Sequence, residues 1–194
     1  MNYLAHLWLS EQAGLPLPGA ILGDMVRGRL DGRFPPQLER SIALHRRIDV
    51  VTDAHPLVVA ARSAYPAGAR RYAGIVLDLV HDHCLALDWP RYSPENLALF
   101  ARRAAQALAA EGEGFALAGS SAPSAWRFRR LLLSYVREGS IDSAVRRVAS
   151  RLKQPQGLIE AARDWRAHLP QARSNLPRLL EDLRAAAVDF AAHL

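Results

Sequence analysis

The chain has 194 residues, half of them hydrophobic, with 25 Lys+Arg against 19 Asp+Glu for a formal charge of +6. One domain of this length buries a core without staples. The single cysteine, Cys84, excludes an intramolecular disulfide and a cysteine-rich zinc site, and fits a reducing, cytoplasmic compartment.

Threonine occurs once and apolar/polar alternation is rare, so the chain reads as all-α, a single helical domain over 1–194. Residues 2–10 predict a first helix, ended by the run Gly14-Leu15-Pro16-Leu17-Pro18-Gly19. A second is expected over about 20–29, closed by Leu30-Asp31-Gly32. Pro35-Pro36 opens a third that runs to about Asp53, where Pro56 interrupts; a short fourth covers about 57–64. The fifth is long, about 67–89, and stops at Pro90. Ser93-Pro94 caps a sixth, and residues 112–123 read as a long loop. Segments 124–137, 140–152, 156–168 and 171–192 complete a single-layered helical bundle. The first ten residues lack a basic n-region, so no signal peptide is expected. No apolar run reaches the roughly 18 residues of a membrane span, so no membrane insertion is expected. The basic balance attracts anions: nucleic acid, anionic lipid or an acidic protein. An arginine- and alanine-rich composition is the competing explanation of that charge.

Ionisable residues fall inside the apolar helices. Asp78 and Asp82 lie four apart in Ile75-Val76-Leu77-Asp78-Leu79-Val80-His81-Asp82, on one side of the fifth helix. Two desolvated carboxylates repel one another, which a divalent metal relieves; an exposed Asp beside one paired with Arg71 is the alternative. His45 and Asp49 repeat the spacing on the third helix, with Asp53 continuing the row. Imidazole and carboxylate together are ligands for Mn, Fe or Zn; an exposed helix face carrying a histidine and a string of charges is the alternative. Asp24 and His6 add an acid and a histidine within apolar stretches of two further helices, and the four helices are expected to converge on one site. The chain lacks a glycine-rich phosphate loop, a nucleophile elbow, an H-E-x-x-H pair, a zinc finger and a stacked-aromatic RNA signature, and no nucleic-acid partner is expected. Cys84 and His83 point about 100° apart and do not form a nucleophile pair.

Met1-Asn2-Tyr3-Leu4-Ala5-His6-Leu7, Gly19-Ala20-Ile21-Leu22-Gly23-Asp24-Met25-Val26-Arg27-Gly28, and Leu44-His45-Arg46-Arg47-Ile48-Asp49 with Thr52-Asp53-Ala54-His55-Pro56 carry a family resemblance. Arg70-Arg71-Tyr72-Ala73-Gly74-Ile75, running on to Asp78, Asp82-His83 and Trp89, extends it. In this order and spacing they resemble the acyl carrier protein phosphodiesterase family, itself similar to a rearranged HD-type phosphohydrolase. Residues 91–194 match it in general helical character. Ala20 stands where the family often has Asn. His81 stands where it usually has a large apolar or aromatic residue, so the functional pair is Asp82-His83. The resemblance implies a distorted HD-phosphohydrolase-like bundle. Its implied reaction is hydrolysis of the phosphodiester between an acyl carrier protein serine and 4′-phosphopantetheine, with an acidic carrier as partner. It implies a divalent metal, Mn first, on Asp24, His45, Asp49, Asp78 and Asp82. It gives catalytic roles to His45, His83 and Asp82, with His45 or His83 as proton donor, whichever is not a ligand. His6, Arg27 and Arg46 contact substrate, His6 either as a ligand or on the phosphate. A metal-dependent hydrolase of a nucleotide or other small phosphoester is the nearest rival, and a non-catalytic basic binding module the next.

Overall fold

Prolines start helices here as their fixed φ and missing N–H dictate: Pro36 opens the third helix and Pro56 the fourth. The computed structural model describes residues 1–193. In order they form α1 (Tyr3–Gln12), α2 (Gly19–Leu22), α3 (Pro36–Ala54), α4 (Pro56–Ser63), α5 (Arg70–Leu87) and a 3-10 turn (Trp89–Arg91). Then follow α6 (Leu97–Ala110), α7 (Gly112–Leu117), α8 (Ala125–Ser134), α9 (Gly139–Ala149), α10 (Gln156–Ala162) and α11 (Trp165–Ala192). No strand occurs among the described residues, and no helix of theirs is long and apolar enough to cross a membrane.

The bundle is not single-layered as expected. In α1 every residue from Leu4 to Ser10 is buried, and in α5 all from Leu79 to Ala86 are. Both helices therefore lie inside, with α1 against α2, α3, α5 and α11, and α5 against α4, α9, α10 and α11. A surface helix would show an apolar stripe; α1 from Leu4 to Ser10 and α5 from Leu79 to Ala86 are buried all round, while Arg70 and Arg71 at the start of α5 are exposed.

Four boundaries differ from expectation, each for a local reason. α2 is a single turn, because tight turns carry the chain only to Val26 and Gly28 then takes φ +79°. Ser93 does not cap α6: its hydroxyl accepts from the Glu95 amide, and Asn96 caps the helix by accepting from Leu99. The expected loop at 112–123 contains α7, whose Phe115 is fully buried. The break expected between 168 and 171 is absent, since α11 runs through Pro170 and Pro177. An internal proline costs about 3 kcal/mol, and here Ala172, Leu176, Leu179, Leu180 and Leu183 are buried along the same helix. That packing outweighs it.

Candidate metal centre

Three side chains from two helices come together. His6 of α1 and His45 and Asp49 of α3 hold ligand atoms that all lie within 4.8 Å of one another. His6 Nε2–H donates to Asp49 Oδ1 at 3.0 Å, and His45 Nε2 is 3.3 Å from Asp49 Oδ2. The two rings stack with centroids 4.0 Å apart. Asp24, just beyond α2, brings its carboxylate to 3.4 Å from His45 Nε2. Asp78 of α5 approaches from the other side through the amino group of Met1, which is 3.0 Å from Asp78 and 3.8 Å from Asp49.

The backbone sets His45 in place. Its Nδ1–H donates to the Ala20 carbonyl at 2.8 Å, which fixes the tautomer and turns Nε2 to the carboxylates. A second-atom hydrogen bond of this kind orients metal-ligating histidines generally. Gly23 makes room: a Cβ there would lie 2.2 Å from His45 Cγ. Sequence reasoning passed over Gly23, although Gly19 and Gly23, four apart, are the signal for a close helix approach; a Cβ on Gly19 would strike Ser41. It also passed over the Met1 amino group, which no residue-type motif encodes.

The charges are unequal. Burial pulls the His6 imidazole down to about 4, so it is neutral at pH 7. Burial also pulls on His45, but hydrogen bonds to Asp24 and Asp49 outweigh it and hold that ring up at about 9. Burial alone would raise Asp49; its bonds to His45 and His6 bring the carboxyl well below the usual range. Burial likewise opposes the Met1 ammonium, and Asp78 restores it and raises it. The N and O donors of this cluster are those of a divalent ion of the Mn, Fe or Zn type, and His45 gives up its proton when it ligates one.

The remaining expected site residues stand elsewhere. Asp82 is fully buried and gives one oxygen to the Leu4 amide at 2.7 Å and the other to Ala5 at 3.0 Å. It thus caps α1, whose own Asn2 makes no side-chain cap. Burial raises its carboxyl to about 7 even against those two bonds. His83 is enclosed: Nδ1–H donates to the Tyr135 carbonyl at 2.6 Å, the ring lies edge-on to Trp165, and Nε2 has no partner. Arg46 fastens the loop after α2 by donating to the Val26 and Gly28 carbonyls at 2.6 and 2.8 Å. Arg27 on that loop is exposed. Asp53, which continues the α3 row, pairs instead with Arg62 at 3.1 Å. His81 is buried with Nδ1 unpartnered, beside a cavity of about 390 Å³ between α4, α5 and α11.

A family model described as acyl carrier protein phosphodiesterase matches residues 1–183. Proteins named acyl carrier protein phosphodiesterase are similar to this chain: one from Photorhabdus laumondii, 44% identical over 94 residues, covers 48% of this chain and 48% of its own length. Another, from Yersinia pestis, is 46% identical over 94 residues, with 48% and 49% covered. One from Escherichia coli is 45% identical over 95 residues, 49% of either chain. In these alignments the chain spans about half the length of the curated relatives it matches. No solved structure matches.

Proposed function

Since the chain belongs to the acyl carrier protein phosphodiesterase family, we propose that it hydrolyses the phosphodiester joining a carrier serine to 4′-phosphopantetheine, releasing apo-carrier and free 4′-phosphopantetheine. The observation that carries this reading is the convergence of His6, His45 and Asp49 from α1 and α3. A phosphodiester is anionic and resists attack, so its hydrolase needs charge neutralisation and a nucleophile near neutral pH. His6, His45 and Asp49, with Asp24 and Asp78 beside them, would hold a divalent ion that would supply both; Mn is the first choice that the family resemblance implies.

The chain's own groups do the rest. Asp49 orients both imidazoles, and the Ala20 carbonyl keeps His45 facing inward. Arg27 is exposed and free to reach a phosphate oxygen, while Arg46 braces the loop that carries Arg27 and Asp24. The serine oxygen must leave with a proton. With His45 in the ligand set, this reading gives the donor role to His83; its Nδ1–H is held by the Tyr135 carbonyl, so Nε2 must itself be protonated to serve. Asp82 acts through position, holding the start of α1 and with it His6. The partner is an acidic carrier, the compartment the cytoplasm, where a buried free Cys84 stays reduced.

The test incubates purified protein with holo-carrier, and separately with a nucleotide panel, with and without added Mn²⁺. Apo-carrier and 4′-phosphopantetheine should form only with the ion, and Asp78→Asn should abolish turnover with its helical spectrum kept. Cleavage of nucleotides and not of the carrier sinks the assignment. His83→Gln should lose about 10²–10⁴-fold in kcat with metal content intact; a normal rate removes His83 from the chemistry.

A further inference from the structure

A cavity of about 360 Å³ lies between the start of α1, α5, α8 and α9, and none of the roles above uses it. Its volume is in the range of small-molecule sites, roughly 300–1,000 Å³. One end adjoins the cluster: Asn2 and Tyr3 line it next in the chain to Met1, and Leu79 lines it next to Asp78. Burial raises the Tyr3 phenol, Asp24 adds to that rise, and Arg151 and Arg147 oppose it, so both the carboxylates and the arginines act on this ring.

The lining is mixed. Leu79, Leu131 and Val148 give it apolar surface, and Asn2, Ser134 and Ser143 add an amide and hydroxyl groups. Arg147 near the end of α9 and Arg151 just beyond it are exposed and make no ion pair among the described residues. Past Ser134 and Arg147 the cavity meets a second groove, of about 660 Å³, where exposed Trp126 carries Arg130 over its ring at 4.5 Å. The cavity therefore opens onto a basic, aromatic exterior.

We propose that this cavity receives the pantetheine arm of the substrate, its phosphate end toward Arg147, Arg151 and the cluster. The proposal rests on the reaction assigned above. A pantetheine chain alternates amides and a hydroxyl with short apolar segments and a geminal dimethyl group, and ends in a phosphate. It needs a basic group for the phosphate, apolar surface and scattered hydrogen-bonding partners. The lining offers all three, with Arg137 as a further basic residue. The carrier serine is bonded to that phosphate, so the acidic carrier docks at the same end, where Arg147 borders both spaces and Arg127 and Arg130 line the second groove.

The experiment is calorimetric titration of the full chain with free 4′-phosphopantetheine, with pantetheine, and with inorganic phosphate. Ala144→Trp fills the cavity and should weaken 4′-phosphopantetheine and pantetheine tenfold or more, leaving inorganic phosphate within twofold. Arg147→Glu with Arg151→Glu should weaken both phosphate-bearing probes and spare pantetheine. Ser143→Tyr, at an exposed position, repeats the test should Ala144→Trp fail to fold. Wild-type affinities in the filled variants, or no 4′-phosphopantetheine binding by the parent chain, overturn the proposal. Carrier turnover is scored apart: binding here without hydrolysis sinks the reaction and keeps the cavity, whereas unimpaired carrier cleavage by Ala144→Trp does the reverse.

Discussion

Burial acts alike on His6 and His45, yet leaves the first neutral near 4 and the second cationic to about 9, because His45 faces two carboxylates and His6 mainly one. Asp49 bonds both rings. Asp49→Asn should therefore lower metal affinity by about tenfold or more, read by elemental analysis after dialysis, with the circular dichroism spectrum unchanged; full metal content would dissolve the triad. His81 shows the same desolvation without chemistry. Burial lowers it from 6.5 to about 4. As pH falls below 6.5 the unfolded chain takes up this proton and the folded chain does not, so stability is lost across that window. The loss is about 2 kcal/mol by pH 5. His81→Leu should remove it, flattening the pH dependence of urea unfolding between pH 7 and 5. An identical slope in parent and variant would show that His81 finds a partner.

Helix α1 is fixed from outside itself. Its orphan amides at Leu4 and Ala5 are bonded by Asp82 of α5, a helix more than seventy residues away, and the buried carboxylate sits at the positive end of α1. An asparagine offers one acceptor where two amides donate. Asp82→Asn should cost about 1–3 kcal/mol in urea unfolding and weaken metal binding as His6 loosens. Stability lost with metal affinity unmoved would separate Asp82 from the site altogether. The contact of α2 with α3 makes a second test. A Cβ at Gly23 meets His45 at 2.2 Å, whereas one at Gly74, within α5, meets nothing within 4 Å. Gly23→Ala should displace His45 and lose metal; Gly74→Ala should stabilise by about 0.5–1 kcal/mol. Equal behaviour of the two would mean that α2 yields freely.

Over the whole molecule the charge is +6, and its effect depends on which arginines are free. Arg46 is committed to the Val26 and Gly28 carbonyls and Arg70 to those of Tyr65 and Ser63. Arg47 and Arg71 are exposed, as are Arg147 and Arg151 beside the cavity. A positive rim speeds encounter with an acidic carrier, and salt screens it over about 8–10 Å at physiological strength. The rate at subsaturating holo-carrier should fall steeply as salt rises, and that for a small phosphodiester only slightly. Equal slopes would place the salt effect in the active site and leave the rim without a part in docking.

Composition and pattern were enough for the helical class, for the start of α3 at its prolines, and for an acid or histidine on each of α1, α3 and α5, because those depend on neighbours within a turn or two. The i, i+4 spacing of His45 and Asp49 is itself a distance, and the structure keeps it at 3.3 Å. The same spacing was no guide for Asp78 and Asp82. One faces the Met1 ammonium and the other the amides of α1, since the partner that claims each carboxylate comes from a remote segment. The enclosure of α1 and α5, the passage of α11 through two prolines, the room at Gly23 and the cavity beside Tyr3 were likewise decided by tertiary packing. Each arises where segments far apart in the chain press together, and one helix's periodicity carries no record of what lies against it.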